Sequence, residues 1–113
     1  MIQDKNNSEH YFWGVNCQGW RLLDTNDLSI IEEEMAPFTS EKYHSHKYAQ
    51  QLFYILSGAA EFELGDQKYK VLEGQSFYIE PELKHRIINN FEYPLKFLVI
   101  SRPSSKKDRQ EII

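Results

Sequence analysis

Ala60, Phe62 and Leu64 alternate with Glu61 and Glu63, and Gly65-Asp66 follows directly. A period of two puts alternate side chains on opposite faces of an extended chain. The stretch therefore reads as a half-buried strand running into a tight hairpin turn. No helix is needed to account for the chain, and a short C-terminal one is the alternative the sequence leaves open. From Trp20 onward no long run repeats its apolar residues at the helical period, and short runs bounded by Gly, Pro, Asn and Asp dominate. Leu52–Leu56 is a continuous apolar run ending at Ser57-Gly58. Tyr69–Leu72 continues the sheet and Glu73-Gly74 turns it. Ser76–Ile79 stops at Pro81, and His85–Ile88 and Leu95–Ile100 are separated by Asn89-Asn90 and Pro94. Strands at this spacing predict an all-β, antiparallel sandwich or barrel.

At 113 residues the chain is one domain. The reading divides it into an N-terminal segment (1–19), a barrel (20–101) and a charged C-terminal tail (102–113). Seven Tyr, seven Phe and two Trp supply much of the area a core this small must bury, which excludes a disordered chain. Tyr11, Phe12, Trp13 and Trp20 offer more apolar surface than a barrel edge needs, so the first segment is expected to be a contact arm of a homodimer. A net charge of -4 argues against a nucleic-acid partner. No stretch approaches the ~20 apolar residues of a membrane span, and the N-terminus has no apolar leader core. A single cysteine, Cys17, builds no disulfide framework, and a cytoplasmic location is expected.

The chemistry concentrates in histidine. His44-Ser45-His46 places two imidazoles on one face of a strand, a preorganised pair of nitrogen ligands for a divalent transition metal. Gln51 lies five residues on and His85 begins a later strand. A curling sheet could bring the four side chains to one point. Taken by the residues alone, the same histidines are also readable as loop and surface residues.

Residues 37–58 and 74–89 resemble the two motifs of the cupin superfamily. Phe38, His44, His46, Gln51 and Gly58 keep the spacing of the first, and Gly74, Pro81, His85 and Asn89 that of the second. The resemblance implies a single-domain, cupin-type antiparallel β-barrel (double-stranded β-helix or jelly roll). It also implies one divalent metal (Ni, Zn, Fe, Mn, Co or Cu) held by His44, His46, Gln51 and His85. The sequence departs from the motifs in three places. Phe38 replaces the first Gly, Glu80 and Glu82 stand where Pro and Gly are usual, and Gln51 stands where Glu is usual. A ligand set without a carboxylate leaves a bound ion its full charge, a stronger Lewis acid that favours an anionic ligand. Three His with Gln is similar to the set in small cupins of pectin breakdown, which process unsaturated uronates by ring opening and isomerisation.

Parity from Gln51 and His85 turns Phe53, Ile55, Ile87 and Asn89 inward as pocket lining. Tyr48 and Tyr54 are candidate proton carriers, and Arg86 should point away from the metal. Glu32, Glu33 and Glu34 read as a solvated strand end, and no carboxylate pair suited to acid–base work is visible. The expected function is a metal-dependent isomerase or lyase acting on a small, anionic, sugar-acid-like metabolite. An Fe(II)-dependent dioxygenase and a non-catalytic small-molecule-binding cupin are the alternatives.

Overall fold

The structure, a computed structural model, describes residues 1–112. Among them there is no helix. Twelve strands, all paired antiparallel, form three sheets. The largest runs β1 (Glu9–Trp13), β2 (Cys17–Asp24), β3 (Ser29–Met35), β11 (Leu95–Arg102), β6 (Gln50–Ser57) and β9 (Ser76–Ile79) in spatial order. The second runs β4 (Thr39–Ser40), β10 (Arg86–Asn89), β7 (Ala59–Leu64) and β8 (Gln67–Leu72). The third pairs β12 (Arg109–Glu111) with β5 (His44–His46).

The alternating stretch behaves as its period requires. Ala60 and Phe62 of β7 are fully buried, Glu61 and Glu63 face outward, and Gly65-Asp66 turns the chain into β8. Arg86 lies on the same outer face and donates to Glu63 at 2.8 Å. On β6, Gln51, Phe53 and Ile55 point inward against Phe97 and Val99 of β11. Phe53, Phe62, Phe77 and Phe97 form the aromatic centre of the core, with ring centroids 4.5–5.9 Å apart. Gly58 closes the first motif for a steric reason. Its φ is +89°, and a Cβ there would sit 2.7 Å from the Pro94 carbonyl oxygen.

Both motif positions that have lost their glycine keep glycine's backbone. Phe38 has φ 57° and Glu82 has φ 70°. L-residues avoid this region because Cβ crowds the backbone, at a cost of about 1–2 kcal/mol each. Surrounding contacts hold the Glu82 turn in place, since its N–H donates to the His46 carbonyl at 2.6 Å.

The ends of the chain are more integrated than the sequence reading supposed. The boundary at 19/20 falls inside β2, and β1 extends the same six-stranded sheet. Tyr11 and Trp13 turn inward there, while Phe12 stays 74% exposed. Lys5 lies 4.1 Å over the Trp20 ring. The C-terminal stretch is not a free tail. Arg102 ends β11, and β12 pairs residue for residue with the histidine strand β5. These are long-range backbone pairings, which local composition does not encode.

Candidate metal centre

The histidines meet because two distant segments bond directly. His44 N–H donates to the His85 carbonyl at 3.0 Å, and His85 N–H donates back to His44 at 2.9 Å. Side chains of such a pair stand side by side, and their ring centroids are 4.4 Å apart. His46, two residues along β5, adds its ring 5.0 Å from that of His44. One nitrogen from each of the three lies within 4.8 Å of the others, and all three residues are buried.

Neighbouring groups fix the ring orientation. The Nδ1–H groups of His44 and His85 each donate at 2.8 Å to the carbonyl two residues back, Lys42 and Leu83. That leaves Nε2 as the lone-pair nitrogen on both rings. Gln51 is held likewise. Its Nε2 donates to Ser101 Oγ at 3.0 Å, from the residue paired with it across β6 and β11.

Buried polar atoms normally have partners, and the exceptions point to function. Among the described residues four buried side-chain atoms have none: His46 Nδ1, His85 Nε2, Gln51 Oε1 and Ser29 Oγ. Two of the four belong to the histidine cluster, and a third belongs to Gln51, which lines the same cavity as His44 and His46. Burial, then the Arg109 charge, lowers His44 to about 3. Burial, then His85, lowers His46 to about 4, and burial pushes His85 down as well. Neutral imidazoles, with Nε2 lone pairs free on His44 and His85, are what a divalent transition metal requires, so the residues fit such an ion.

His44, His46, Gln51 and Phe53 line a cavity of about 840 Å³, a volume within the range of small-molecule sites. His85, its ring centroid 4.4 Å from that of His44, is buried and outside the cavity lining. Of the other residues read as lining, Ile55 and Ile87 are enclosed in the core. Asn89 is structural, because its amide donates to the carbonyls of Met35, Ala36 and Tyr93. Tyr48 and Tyr54 do not reach the cavity. Tyr48 is 64% exposed in the loop after β5, and Tyr54 is on the outer face of β6, opposite to Gln51 and Phe53.

The cavity's polar equipment comes from elsewhere. Arg21, Lys42, Lys106 and Arg109 line it together with Glu33, Glu41 and Glu111. Glu33 is not part of a solvated end. It shares the inward face of β3 with Ile31 and Met35, a parity visible in the sequence. Tyr11 Oη donates to Glu33 Oε2 at 3.2 Å. Burial raises Glu33 to about 7, against the pull of the Tyr11 hydrogen bond, Arg109 and Arg21. Glu41 accepts from Ile87 N–H at 3.0 Å and lies 3.9 Å from His44 Nδ1. Burial raises it to about 8, opposed by Arg109 and assisted by the Glu33 charge. Two carboxylates that feel each other's charge therefore line the cavity, one on β3 and the other in the loop between β4 and β5.

Known proteins share this architecture. The family described as Cupin domain matches residues 31–101. An uncharacterized protein of Methanocaldococcus jannaschii is 32% identical over 84 residues, covering 74% of this chain and 67% of its own. The polyketide cyclase RemF of Streptomyces resistomycificus superposes with a TM-score of 0.84 at 17% identity, over 100% of this chain and 87% of its own. KdgF of a Halomonas species gives 0.82 at 18%, over 92% and 95%. A sugar phosphate isomerase of the cupin superfamily from Silicibacter pomeroyi gives 0.78 at 15%, over 92% and 76%. The matched segment carries the barrel core, the His-x-His strand, Gln51 and His85 together, and the chain belongs to the cupin domain family.

Proposed function

We propose that the protein is a metal-dependent enzyme, an isomerase or lyase acting on a small anionic sugar-acid-like metabolite. The observation that carries this reading is the group of buried polar atoms without partners. His46 Nδ1, His85 Nε2 and Gln51 Oε1 are buried without partners beside a cavity supplied with four cationic side chains. His44, His46, His85 and Gln51 would hold the ion, which when bound supplies Lewis-acid polarisation of a carbonyl or carboxylate oxygen. Ser101 aims the Gln51 amide oxygen inward. Arg21, Lys42, Lys106 and Arg109 draw an anion into the cavity, and Phe53 and Trp13 give it an apolar wall that excludes water. The likeness to a sugar phosphate isomerase accords with an anionic, sugar-like substrate.

Metal analysis of freshly purified protein is the first test, followed by a thermal-shift screen of uronic and unsaturated uronic acids with and without added metal. Hits are then followed by NMR for conversion. His44→Ala and His85→Ala should lose metal and turnover together. Turnover that persisted in metal-free protein would sink the reading. Oxygen consumption during turnover would favour a dioxygenase, and stabilisation without conversion would favour a binding protein.

A further inference from the structure

The metal centre leaves a second constellation in the cavity unused. Tyr11, Gly19 and Glu33 occupy one row across β1, β2 and β3, since Tyr11 pairs with Gly19 and Gly19 with Glu33. Tyr11 and Glu33 are thus two strands apart, about 9–10 Å at the backbone. They touch because the residue between them has no side chain. A Cβ on Gly19 would collide with Tyr11 Cζ and lie 2.5 Å from its hydroxyl oxygen. The Tyr11 ring lies in that gap, and its hydroxyl reaches Glu33. Arg21, next inward along β2, stands 4.7 Å over the same ring and is anchored by Glu9 at 2.8 Å. All three of Tyr11, Arg21 and Glu33 line the cavity that His44, His46 and Gln51 line.

We propose that Glu33 is the proton-transferring residue of this cavity, with Tyr11 and Gly19 as the positioning residues that aim its carboxylate. The inference rests on the proposed isomerase or lyase function and names the residue that moves the proton. In the step, the Glu33 carboxylate takes a proton from the carbon beside the substrate's carbonyl. The C–H bond breaks, and its electron pair delocalises onto the carbonyl oxygen. In an α-hydroxy carbonyl substrate the adjacent hydroxyl's proton moves to the former carbonyl oxygen, and Glu33 returns its proton to the former carbonyl carbon. The hydroxyl-bearing carbon becomes the new carbonyl, an isomerisation needing no oxidant or reductant. A carboxyl group raised to about 7 by burial holds and releases a proton readily near neutral pH. The titratable and charged groups facing it are Tyr11 from β1, Arg21 from β2, Arg109 from β12 and Glu41.

The test uses 5-nitrobenzisoxazole and metal-free protein. Loss of this probe's ring C–H to a carboxylate breaks its N–O bond and releases a coloured phenolate, so no natural substrate or ion is required. The wild type should exceed an equal concentration of acetate, with a rate that rises through about pH 7 as Glu33 loses its proton. Glu33→Gln, which keeps shape and removes the base, should lose at least about tenfold. Tyr11→Phe removes a hydrogen bond that favours the carboxylate, so its pH midpoint should move upward while activity remains. Gly19→Ala, which displaces the Tyr11 ring, should move the midpoint the same way. Thermal melts of each variant show whether it is folded. A Glu33→Gln rate within about twofold of wild type, a profile without an inflection near neutrality, or a wild type no faster than acetate overturns the proposal. Metal content and uronate conversion report on the metal-dependent reading separately, so the two can fail independently.

Discussion

Asp108 is the perturbation whose cost is most directly worked from the structure. Its carboxylate accepts from the backbone N–H groups of Lys47, Tyr48 and Ala49 at 3.1, 3.0 and 2.9 Å. These three residues form the turn between the histidine strand and Gln51. Asp108→Ala removes all three bonds at once. Lys47 and Tyr48 are exposed, so water replaces the carboxylate there at little cost. Ala49 is 2% exposed, and its donor is the one left poorly solvated. A charge-assisted bond of this kind contributes about 1.5–3 kcal/mol, and about 2 kcal/mol is the expected total loss. For a domain of this size that corresponds to roughly 8 °C in Tm. Urea unfolding of metal-free protein should show a lower midpoint with an unchanged slope. Exposed Lys107→Ala is the control, expected within about 0.5 kcal/mol of wild type.

The pH dependence fixes the sign. Burial pushes the Asp108 carboxyl up, but the three N–H donors outweigh it and hold it below the ordinary carboxylate range. A lowered folded value contributes stability above the unfolded pKa of about 3.9, and the contribution is lost as pH falls through the folded value. The gap between wild type and Asp108→Ala should therefore be full at neutral pH and close in acid. An unchanged midpoint at neutral pH, or a gap that widens in acid, refutes the reasoning.

Other outcomes follow from the same geometry. Gln51→Glu adds a negative charge to a neutral donor set, so calorimetry should show tighter metal binding and weaker uronate binding. Gln51→Leu removes the inward acceptor and should weaken metal binding by about tenfold or more, read by competition with a chelating dye. Glu82→Gly relieves about 1–2 kcal/mol of left-handed strain against about 0.5–1 kcal/mol of added chain entropy, so melting should rise slightly rather than fall. Gly58→Ala meets the Pro94 carbonyl at positive φ and should cost well over ~1 kcal/mol in chemical unfolding.

Legibility in the sequence followed the range of the interactions. β7, β8 and β9 were readable because alternation and turn residues act between neighbours, and Ser76–Ile79 matches its strand at both ends. The spacing points to His44, His46, Gln51 and His85; the three histidines converge within 4.8 Å, and Gln51 lines the same cavity as His44 and His46. Tyr54 illustrates a local signal left unused: the parity that turns Gln51 inward turns Tyr54 outward. Glu33 is a second case, since Ile31 and Met35 flank it at the same parity. The Tyr11–Glu33 contact is different in kind. It depends on which strands pair and on an absent side chain at Gly19, neither of which has a local signature. The β12–β5 pairing escaped for a similar reason, because three exposed residues carry no apolar pattern to announce a strand.

The proposed donor set draws on every sheet of the barrel. Gln51 comes from the six-stranded sheet, His44 and His46 from the two-stranded one, and His85 from the entry to β10 in the four-stranded one. An ion held by all four would act as a cross-link between layers that otherwise meet through apolar packing and a few bridging bonds. Its binding energy would then count toward keeping the barrel closed, by mass action on the folded form alone. Stripping the metal should accordingly loosen backbone amides in all three sheets, including those far from the cavity. Hydrogen exchange would register the centre as a fastener of the fold as well as a site of chemistry.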